Sequence, residues 1–443
     1  MFANMVTKRT LSRGLAVLIC GVFLVLSGIN VFGQGIGCEA EWDPARVILM
    51  HTPGEELFLG VVHPESALFE DTFSLEKAVG EHRKFIKGLS GPRTNVFTVC
   101  DLLLKGTEDP NSVERRELID LARKAMVLDV SKLPPQDQEY QKKKHEETLK
   151  KMAPETLVRI IFQRPVVKLK KIGDSPEGLA ALQRRFSTYS YNIVADYELK
   201  PIMNLYFLRD QMITTKKGVV LGNLRLPQRQ WEVEIIRLVL KKMGITPIHE
   251  IKNGTLEGGD FLPAGDRVYI GQGVRTNADA IKELMDNDCF GSREVVVVKD
   301  RWLNQQEMHL DTHFNIIARD LAVMVEDRFS RQVPVKRLWA DVYVQNAGGK
   351  GYRLLAKDVD FVDLLSRSGV KVIPVSVADQ HAYGINFLTV QAGYIFAVDG
   401  VSEKYKSDLM KYDVNCRWLD FSNLKLGYGA AHCTTQVLYR EKK

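Results

Sequence analysis

The sequence lacks three patterns that would each indicate a familiar class of protein. It has no CxxC pair and no cluster of cysteine and histidine, so nothing indicates a zinc site. It has no GxGxxG loop after a strand, so a dinucleotide site has no support. Its 61 Lys and Arg nearly balance its 55 Asp and Glu, and no basic stripe with interleaved aromatic residues occurs. Nucleic-acid binding is therefore not indicated.

The first 33 residues differ from the rest of the chain. A short cationic stretch is followed by a long apolar run, and the run ends in VFG, with an aliphatic and a small residue where a signal peptidase requires them. Residues 1–33 are therefore predicted to be a secretory signal peptide, or a membrane anchor if they are not cleaved, because the apolar run is long. We expect the protein to be exported, either periplasmic or secreted. Contact with a membrane is expected only for the uncleaved form.

Cysteine usage raises the question of a reactive thiol. Loss of residues 1–33 would remove Cys20 and leave five cysteines, which cannot all form disulfides. Cys100, in a stretch that resembles a strand, and also Cys289 and Cys416 are interpreted as packing residues. Cys433 differs because it lies in GYGAAHCTTQ, where glycine and alanine allow another molecule to approach the backbone. It is a buried filler, half of a disulfide, a metal ligand or a nucleophile.

Short apolar runs alternate with helical patterns through most of the chain. The runs RVILMHTP, GVVLGNL and DRVYIGQG are each followed by a segment with apolar residues at helical spacing, and then by another apolar run. GYIFAVDG is followed in the same way by VSEKYKSDLMKYD and VNCRWLDF. This alternation indicates an α/β fold, and its repetition predicts pseudo-symmetric modules.

The stretch 102–199 departs from this alternation. It is charged and rich in helical patterns, with Pro134-Pro135 as a break. We predict that it is a helical insertion within an α/β domain that spans residues 38–443. Its run QKKKHEETLKK is typical of a solvated helix face rather than of a binding patch.

Three segments place polar residues inside apolar stretches, and they suggest one chemistry together with Cys433. They are PIMNLYFLRDQM with Asp210, NGTLEGGDFLP with Glu257, and EMHLDTHFNI with His309 and Asp311, which lie two apart and would share one face if the segment is a strand. Each alone is compatible with a buried, hydrogen-bonded polar group. A guanidinium is flat, permanently charged and carries five N–H donors, so carboxylates bind it through paired hydrogen bonds.

These residue types fit the roles that a reaction at a guanidinium requires. Asp210 and Asp311 could hold the group from two sides, and a thiolate of Cys433 could attack its central carbon. His309 could protonate departing ammonia and later activate water, while Glu257 orients that histidine and stabilises its charged form.

The segments MNLYFLRD, LEGGD, MHLDT and GAAHCTTQ resemble the arginine deiminase family, within the guanidino-group-modifying (pentein) superfamily. The resemblance extends over essentially the whole chain after residue 33. It implies a five-bladed α/β propeller with pseudo-fivefold symmetry, a helical insertion, and a site at the centre of the blades. It also implies hydrolysis of L-arginine to L-citrulline and ammonia through a covalent thiouronium on Cys433, with His309 as general acid and base. No metal and no organic cofactor are implied.

The resemblance also assigns residues that line the substrate. Asn204 and Phe207 match lining positions, and Arg229 and Arg275 match arginines that bind the substrate carboxylate. One departure is clear, because a further arginine that the family carries before its His-Cys pair falls at Tyr428 here. The carboxylate would then be held less strongly, or the tail of the substrate would differ.

Several alternatives stay open from the sequence. An amidinotransferase would use the same covalent chemistry, with an amine in place of water. Peptidyl-arginine, whose carboxylate is blocked, would not need the arginine that Tyr428 replaces. Agmatine is a poorer candidate because Arg229 and Arg275 would meet no anion. A secreted binding protein without activity is the alternative from another class, and a homo-oligomer is compatible with the sequence.

Overall fold

The computed structural model describes residues 35–171, 193–330, 333–349 and 351–442. The predicted signal or anchor, 1–33, lies outside these residues, and so does most of the helical pattern PEGLAALQRRFSTYSYNIVADYEL, of which only the last seven residues are described. Among the helices of the described ranges, none is long and apolar enough to cross a membrane.

The described residues form strands and helices in alternation. The strands are β1 (Ala45–Met50), β2 (Asn95–Thr98), β3 (Val127–Lys132), β4 (Val166–Lys171), β5 (Ile193–Glu198), β6 (Met212–Thr215), β7 (Gly218–Leu221), β8 (His249–Glu250), β9 (Phe261–Ala264), β10 (Arg267–Gln272), β11 (Glu294–Lys299), β12 (Phe314–Ala318), β13 (Leu321–Val325), β14 (Trp339–Gln345), β15 (Tyr352–Asp360), β16 (Lys371–Val375), β17 (Leu388–Gln391), β18 (Tyr394–Val398), β19 (Asn415–Leu419) and β20 (Gln436–Arg440). The α-helices are α1 (Phe58–Val62), α2 (Leu75–Leu89), α3 (Val99–Leu104), α4 (Val113–Ala125), α5 (Pro135–Lys151), α6 (Pro154–Gln163), α7 (Gln230–Lys242), α8 (Ala278–Asp286), α9 (Phe361–Arg367), α10 (Val377–His381) and α11 (Glu403–Lys411).

Within the described residues, five sheets repeat one plan. Two strands pair antiparallel, and the second of them pairs parallel with a third strand that follows a helix. The strand triplets are β20-β1-β2, β6-β7-β8, β9-β10-β11, β12-β13-β16 and β17-β18-β19. A parallel neighbour needs a crossover connection, which explains the helix in each repeat. The predicted α/β fold with repeated modules is thus confirmed.

The helices of these modules form because their apolar residues recur on one face. Helix α7 buries Val233, Ile236, Val239 and Leu240, at spacings of three, three and one, and it ends just before Gly244. That glycine has φ +71°, a left-handed conformation that closes a helix at little steric cost. The buried face covers the sheet, so each module adds its own part of the apolar core.

The stretch 102–199 contains the predicted helices and also a sheet that the sequence analysis did not anticipate. Helix α5 buries only Leu149, in agreement with a solvated helix face for QKKKHEETLKK. Strands β3, β4 and β5 pair as a separate three-stranded sheet. The prediction of helices alone was therefore incomplete. Lys and Glu side chains on exposed strands give the same polar composition as a solvated helix, so the pattern did not distinguish the two.

One local prediction was wrong. Cys100 lies in helix α3 rather than in a strand, because the Thr98 side chain accepts a hydrogen bond from the backbone N–H of Asp101 and starts the helix there.

The same position recurs in all five modules, just before the first strand of the triplet. Cys433 precedes β20, Asp210 precedes β6, Glu257 precedes β9, His309 precedes β12 and Asn386 precedes β17. Contacts among these residues bring the five segments together at one place.

Candidate active site

Cys433 lies at the centre of the cluster with a buried thiol. Its Sγ accepts a hydrogen bond from Asn386 Nδ2 at 3.1 Å and lies 3.6 Å from Asp311 Oδ2. Burial raises the pKa of this thiol well above its usual range, and the charges of Asp311 and then Asp210 add to the rise. The cysteine is free, as are the other cysteines of the described residues, so the disulfide alternative is removed.

Asp210 and Asp311 are both buried, and each uses only one carboxylate oxygen. Asp210 Oδ2 accepts a hydrogen bond from Arg229 Nη1 at 2.7 Å, and Asp311 Oδ2 accepts one from His432 Nδ1 at 2.7 Å. Among the described residues, neither Asp210 Oδ1 nor Asp311 Oδ1 has a hydrogen-bond donor. A buried acceptor without a donor is rare in folded proteins, and it indicates a place where a ligand supplies the missing N–H groups.

His309 lies between two carboxylates. Its Nε2 donates to Glu257 Oε2 at 2.8 Å, and its Nδ1 lies 3.8 Å from Asp210 Oδ1. Burial alone would lower the pKa of His309, but the charges of Asp210, Glu257 and Asp260 outweigh it and raise the pKa to about 9. The histidine is therefore protonated near neutral pH and can deliver a proton.

The condition under which His309 and Asp311 would share a strand face is not met, because their segment is not a strand. Leu310–Thr312 form a 3-10 turn that ends just before β12. The turn sends the two side chains to different partners, His309 to Glu257 and Asp311 to His432. The two residues thus reach the site by turn geometry rather than by sharing a strand face.

The predicted carboxylate-binding arginines are both buried, but they differ in their contacts. Arg229 is paired with two carboxylates, since it contacts Asp210 at 2.7 Å and Glu232 at 2.9 Å. Arg275 donates to the sulfur of Met308 at 3.4 Å, and its Nη1 lies 3.9 Å from Glu257 Oε1, but Nε and Nη1 have no hydrogen-bond partner among the described residues. Arg275 thus has donors without a hydrogen-bond acceptor, whereas Arg229 is bound to a carboxylate that was predicted to hold the substrate.

Asn204 and Phe207 line a cavity of about 20 Å³ that also reaches Arg275, His309 and Cys433. The side-chain amide of Asn204 donates to the carbonyl oxygen of Ala67 at 2.9 Å, so that donor is already used. The structure therefore places both predicted lining residues at the site.

The glycines before Cys433 have a structural reason that the sequence did not reveal. A Cβ at Gly429 would overlap the ring of Phe207, and a Cβ at Gly427 would overlap the hydroxyl of Tyr206. Small residues here thus admit the ring of Phe207, which lines the site, and the ring of Tyr206 packed against it, besides leaving room at the thiol.

Tyr428, between these glycines, has φ +70°, a left-handed conformation that is costly for a bulky side chain. It lines the cavity of about 20 Å³ and a second cavity of about 150 Å³, and Cys433 lies at both. The thiol is therefore reached from the larger cavity, and Tyr428 lies where the two meet.

Sequence reasoning missed Asn386, which holds the loop of the cysteine. Its Oδ1 accepts hydrogen bonds from the backbone N–H groups of Ala430 at 3.1 Å and Cys433 at 3.2 Å. The available signal was positional, since GINFL precedes the first strand of a module as the other site segments do.

One group in the described part of the chain has the composition of a metal site. Ligand atoms of Asp210, Glu257 and His309 all lie within 4.8 Å of one another. The guanidinium of Arg229 lies 2.7 Å from Asp210 and 3.8 Å from Glu257, so a fixed cation already balances these carboxylates. The expectation that the reaction needs no metal stays a prediction.

A buried cysteine beside a protonated histidine and two carboxylates with free oxygens defines a cysteine-dependent enzyme site for a cationic substrate. The chain belongs to the arginine deiminase family, since residues 65–440 match the family described as "Arginine deiminase".

The chain aligns with arginine deiminases of other organisms over nearly their whole length. The chain is 28% identical to the arginine deiminase of Halobacterium salinarum, covering 91% of this chain and 96% of that protein. It is 26% identical to the arginine deiminase of Metamycoplasma arthritidis, covering 92% and 97%. Among solved structures, DDAH from Pseudomonas aeruginosa complexed with citrulline is 13% identical, with a TM-score of 0.48, covering 88% of this chain and 98% of that one.

Proposed function

We propose that this protein hydrolyses L-arginine to L-citrulline and ammonia through a covalent intermediate on Cys433. The observation that carries the proposal is the pair of buried oxygens without donors, Asp210 Oδ1 and Asp311 Oδ1, beside the thiol. A guanidinium supplies N–H donors on two edges, so it satisfies both oxygens while its carbon faces Sγ. Membership of the arginine deiminase family supports the same substrate.

Substrate binding activates the nucleophile. Burial and the charges of Asp311 and Asp210 raise the pKa of Cys433, so the thiol of the free protein keeps its proton. A guanidinium cation between the carboxylates neutralises their effect and favours the thiolate, and the proton leaves to solvent through the cavity of about 150 Å³. The thiolate is thus formed where its target is bound.

The reaction then proceeds in two steps. The thiolate forms a C–S bond to the guanidinium carbon, and His309 gives its proton to one terminal nitrogen. The C–N bond to that nitrogen breaks, ammonia departs, and Cys433 then carries a thiouronium. Neutral His309 next takes a proton from water, and the resulting hydroxide adds to the thiouronium carbon. Breaking of the C–S bond releases citrulline and the thiolate, and the proton of the new hydroxyl passes to solvent. Glu257 keeps the charged form of His309 favourable.

Arg275 is proposed to bind the substrate carboxylate, because its Nε and Nη1 are free donors at the cavity shared with Asn204 and Phe207. Arg229 is proposed to reach the same carboxylate while it keeps its bond to Asp210.

The five repeated modules support a five-bladed α/β propeller with pseudo-fivefold symmetry, since each contributes a site residue from the same position. The propeller would span residues 38–443, with 102–199 as an insertion of helices and one sheet. Residues 1–33 are proposed to direct export, as a cleaved signal or as an anchor.

The central experiment supplies free arginine to residues 34–443 under reducing conditions and measures ammonia and citrulline. We expect both products at a ratio of about one to one, as hydrolysis of one C–N bond requires. Cys433→Ala should form neither, whereas Cys289→Ala, at a buried thiol that lines neither cavity at Cys433, should retain activity. Ornithine with a new guanidino product after addition of glycine would indicate amidino transfer. No turnover of arginine, agmatine or an arginine peptide would favour a binding protein.

Export is tested separately with the full chain carrying a C-terminal tag in a bacterial host. A product that begins near residue 34 outside the cytoplasm would support a cleaved signal, and a full-length product in the membrane fraction would support an anchor. A full-length product in the soluble cytoplasmic fraction would contradict both.

A further inference from the structure

The carboxylate of Asp311 is held by the residue next to the nucleophile. His432 Nδ1 donates to Asp311 Oδ2 at 2.7 Å, and His432 and Cys433 are consecutive in the chain. All three side chains are buried. Since adjacent residues share a rigid peptide unit, this one hydrogen bond ties the position of the carboxylate to that of the thiol.

A second buried carboxylate lies behind His432. Glu41 Oε1 is 3.9 Å from His432 Nε2, and the other oxygen of Glu41 is paired with Arg440. Arg209 lies 3.5 Å from Glu41 and donates its backbone N–H to the carbonyl oxygen of Cys433 at 3.1 Å. Glu41 comes from the start of the described chain, Arg440 from its end and Arg209 from its middle, and they form an ionic network at the loop of the nucleophile.

The proposed mechanism does not use this network, yet buried charges are costly unless they are paired. Apolar side chains in this region would avoid that cost, so the network is better explained by the need to fix the position of a side chain than by stability. That side chain is Asp311, whose Oδ1 must face the substrate while Oδ2 is held.

We propose that His432, backed by Glu41, is a positioning residue that aims the free oxygen of Asp311 at the substrate guanidinium and fixes its distance from Cys433. The proposal rests on the proposed function and deepens it. The side chain acts through Asp311 and does not touch the substrate itself.

The test compares two substitutions that differ only in where they place an N–H donor. In His432→Asn the amide nitrogen takes the place of Nδ1 and can still donate to Asp311, whereas in His432→Gln it lies near the place of Nε2 and cannot. A misplaced group at a reacting centre costs about 100-fold in rate. We therefore expect His432→Gln to lose about 100-fold in kcat/KM for arginine, with a raised KM, and His432→Asn to stay within about fivefold of the unmodified protein.

A binding measurement separates this role from a purely structural one. In a Cys433→Ala background, calorimetry should show that His432→Gln weakens arginine binding about tenfold, as loss of a well-aligned charged hydrogen bond does, while citrulline binding changes little. His82→Gln replaces another buried histidine, away from both cavities, and should lower the melting temperature without changing the KM.

Each outcome has a defined meaning. Equal losses in His432→Gln and His432→Asn, or equal weakening of arginine and citrulline, would overturn the positioning role while leaving the proposed function intact. An unmodified protein that binds arginine but releases no citrulline would overturn the proposed function, and the binding comparison would still decide the role of His432. Glu41→Gln should give a loss in the same direction, smaller than that of His432→Gln.

Discussion

The two sides of the candidate guanidinium site use the same arrangement with different parts. On each side, a buried aspartate accepts a hydrogen bond on one oxygen from a protein side chain and leaves the other oxygen without a donor. The donor is the guanidinium of Arg229 on the Asp210 side and the imidazole of His432 on the Asp311 side. Buried glutamates lie behind both donors, at positions 232 and 41.

The difference between the two sides lies in what each aspartate controls. Asp210 is 3.8 Å from His309, and its charge is the largest single cause that raises the pKa of that histidine. Asp311 is 3.6 Å from the sulfur of Cys433 and contributes more than Asp210 to the raised pKa of the thiol. Asp210 and Asp311 would thus bind the substrate in the same way but act on different reacting groups. Asp210 raises the pKa of the acid, His309, and Asp311 raises the pKa of the nucleophile, Cys433.

The largest expected effect would not distinguish the two sides. Asp210→Asn and Asp311→Asn each remove one charged acceptor of the guanidinium, and we expect each to lower kcat/KM for arginine by about 10³-fold, the scale for loss of one preorganised electrostatic contact. Steady-state citrulline formation measures this, with the exposed Asp266→Asn as a matched control that should stay near full activity. A loss at only one side would break the symmetry of binding.

Reactivity of the thiol should separate the two sides in the opposite direction. Because the charge of Asp311 raises the pKa of Cys433, Asp311→Asn should lower that pKa and so speed alkylation of the free thiol by iodoacetamide at pH 8, where more thiolate would be present. Asp210→Asn should speed it less. The measurement is the rate of modification of the Cys433 peptide by mass spectrometry. Slower alkylation in Asp311→Asn would contradict the assignment.

The pH dependence should separate them once more. His309 has its pKa raised to about 9, so turnover that needs its proton should fall as the pH rises through about 9. The stabilisation that accompanies this shift is fully present below the unfolded pKa of about 6.5 and is lost as the pH rises through 9. Asp210→Asn should move the alkaline limb of kcat, and the loss of unfolding free energy, to lower pH. Asp311→Asn should shift the alkaline limb of kcat less than Asp210→Asn does. An equal shift in both variants would contradict the inference that Asp210 controls the pKa of His309 more than Asp311 does.

Much of this arrangement could be predicted from the sequence, because chemistry restricts the residue types. Asp210, Glu257, His309 and Cys433 were selected as polar residues at unusual positions, and the structure brings them together. The α/β modules could be predicted as well, since period and capping are local properties, as the end of α7 before Gly244 and the Asn277 cap of α8 show.

The rest could not be predicted, for physical reasons. The sequence left open whether His309 and Asp311 lie in a strand, because a spacing of two residues does not distinguish a strand from the 3-10 turn that the structure shows. The sheet of β3 to β5 was missed because exposed strands carry a weak apolar signal. Glu41 and His432 meet across nearly the whole chain, and no local pattern records such a contact.

The smallest expected effect concerns Tyr428, which belongs to neither aspartate. It lines the cavity that holds the free donors of Arg275, where the family usually places an arginine. Tyr428→Arg would add a charged donor for the substrate carboxylate, and we expect the KM for arginine to fall by about three- to tenfold, with kcat little changed, since the contact is made equally in ground and transition states. Agmatine has no carboxylate, so its KM should not fall, and Tyr428→Phe should leave both substrates within about twofold. An equal gain for agmatine would mean that residue 428 acts through the shape of the loop, at φ +70°, rather than through charge.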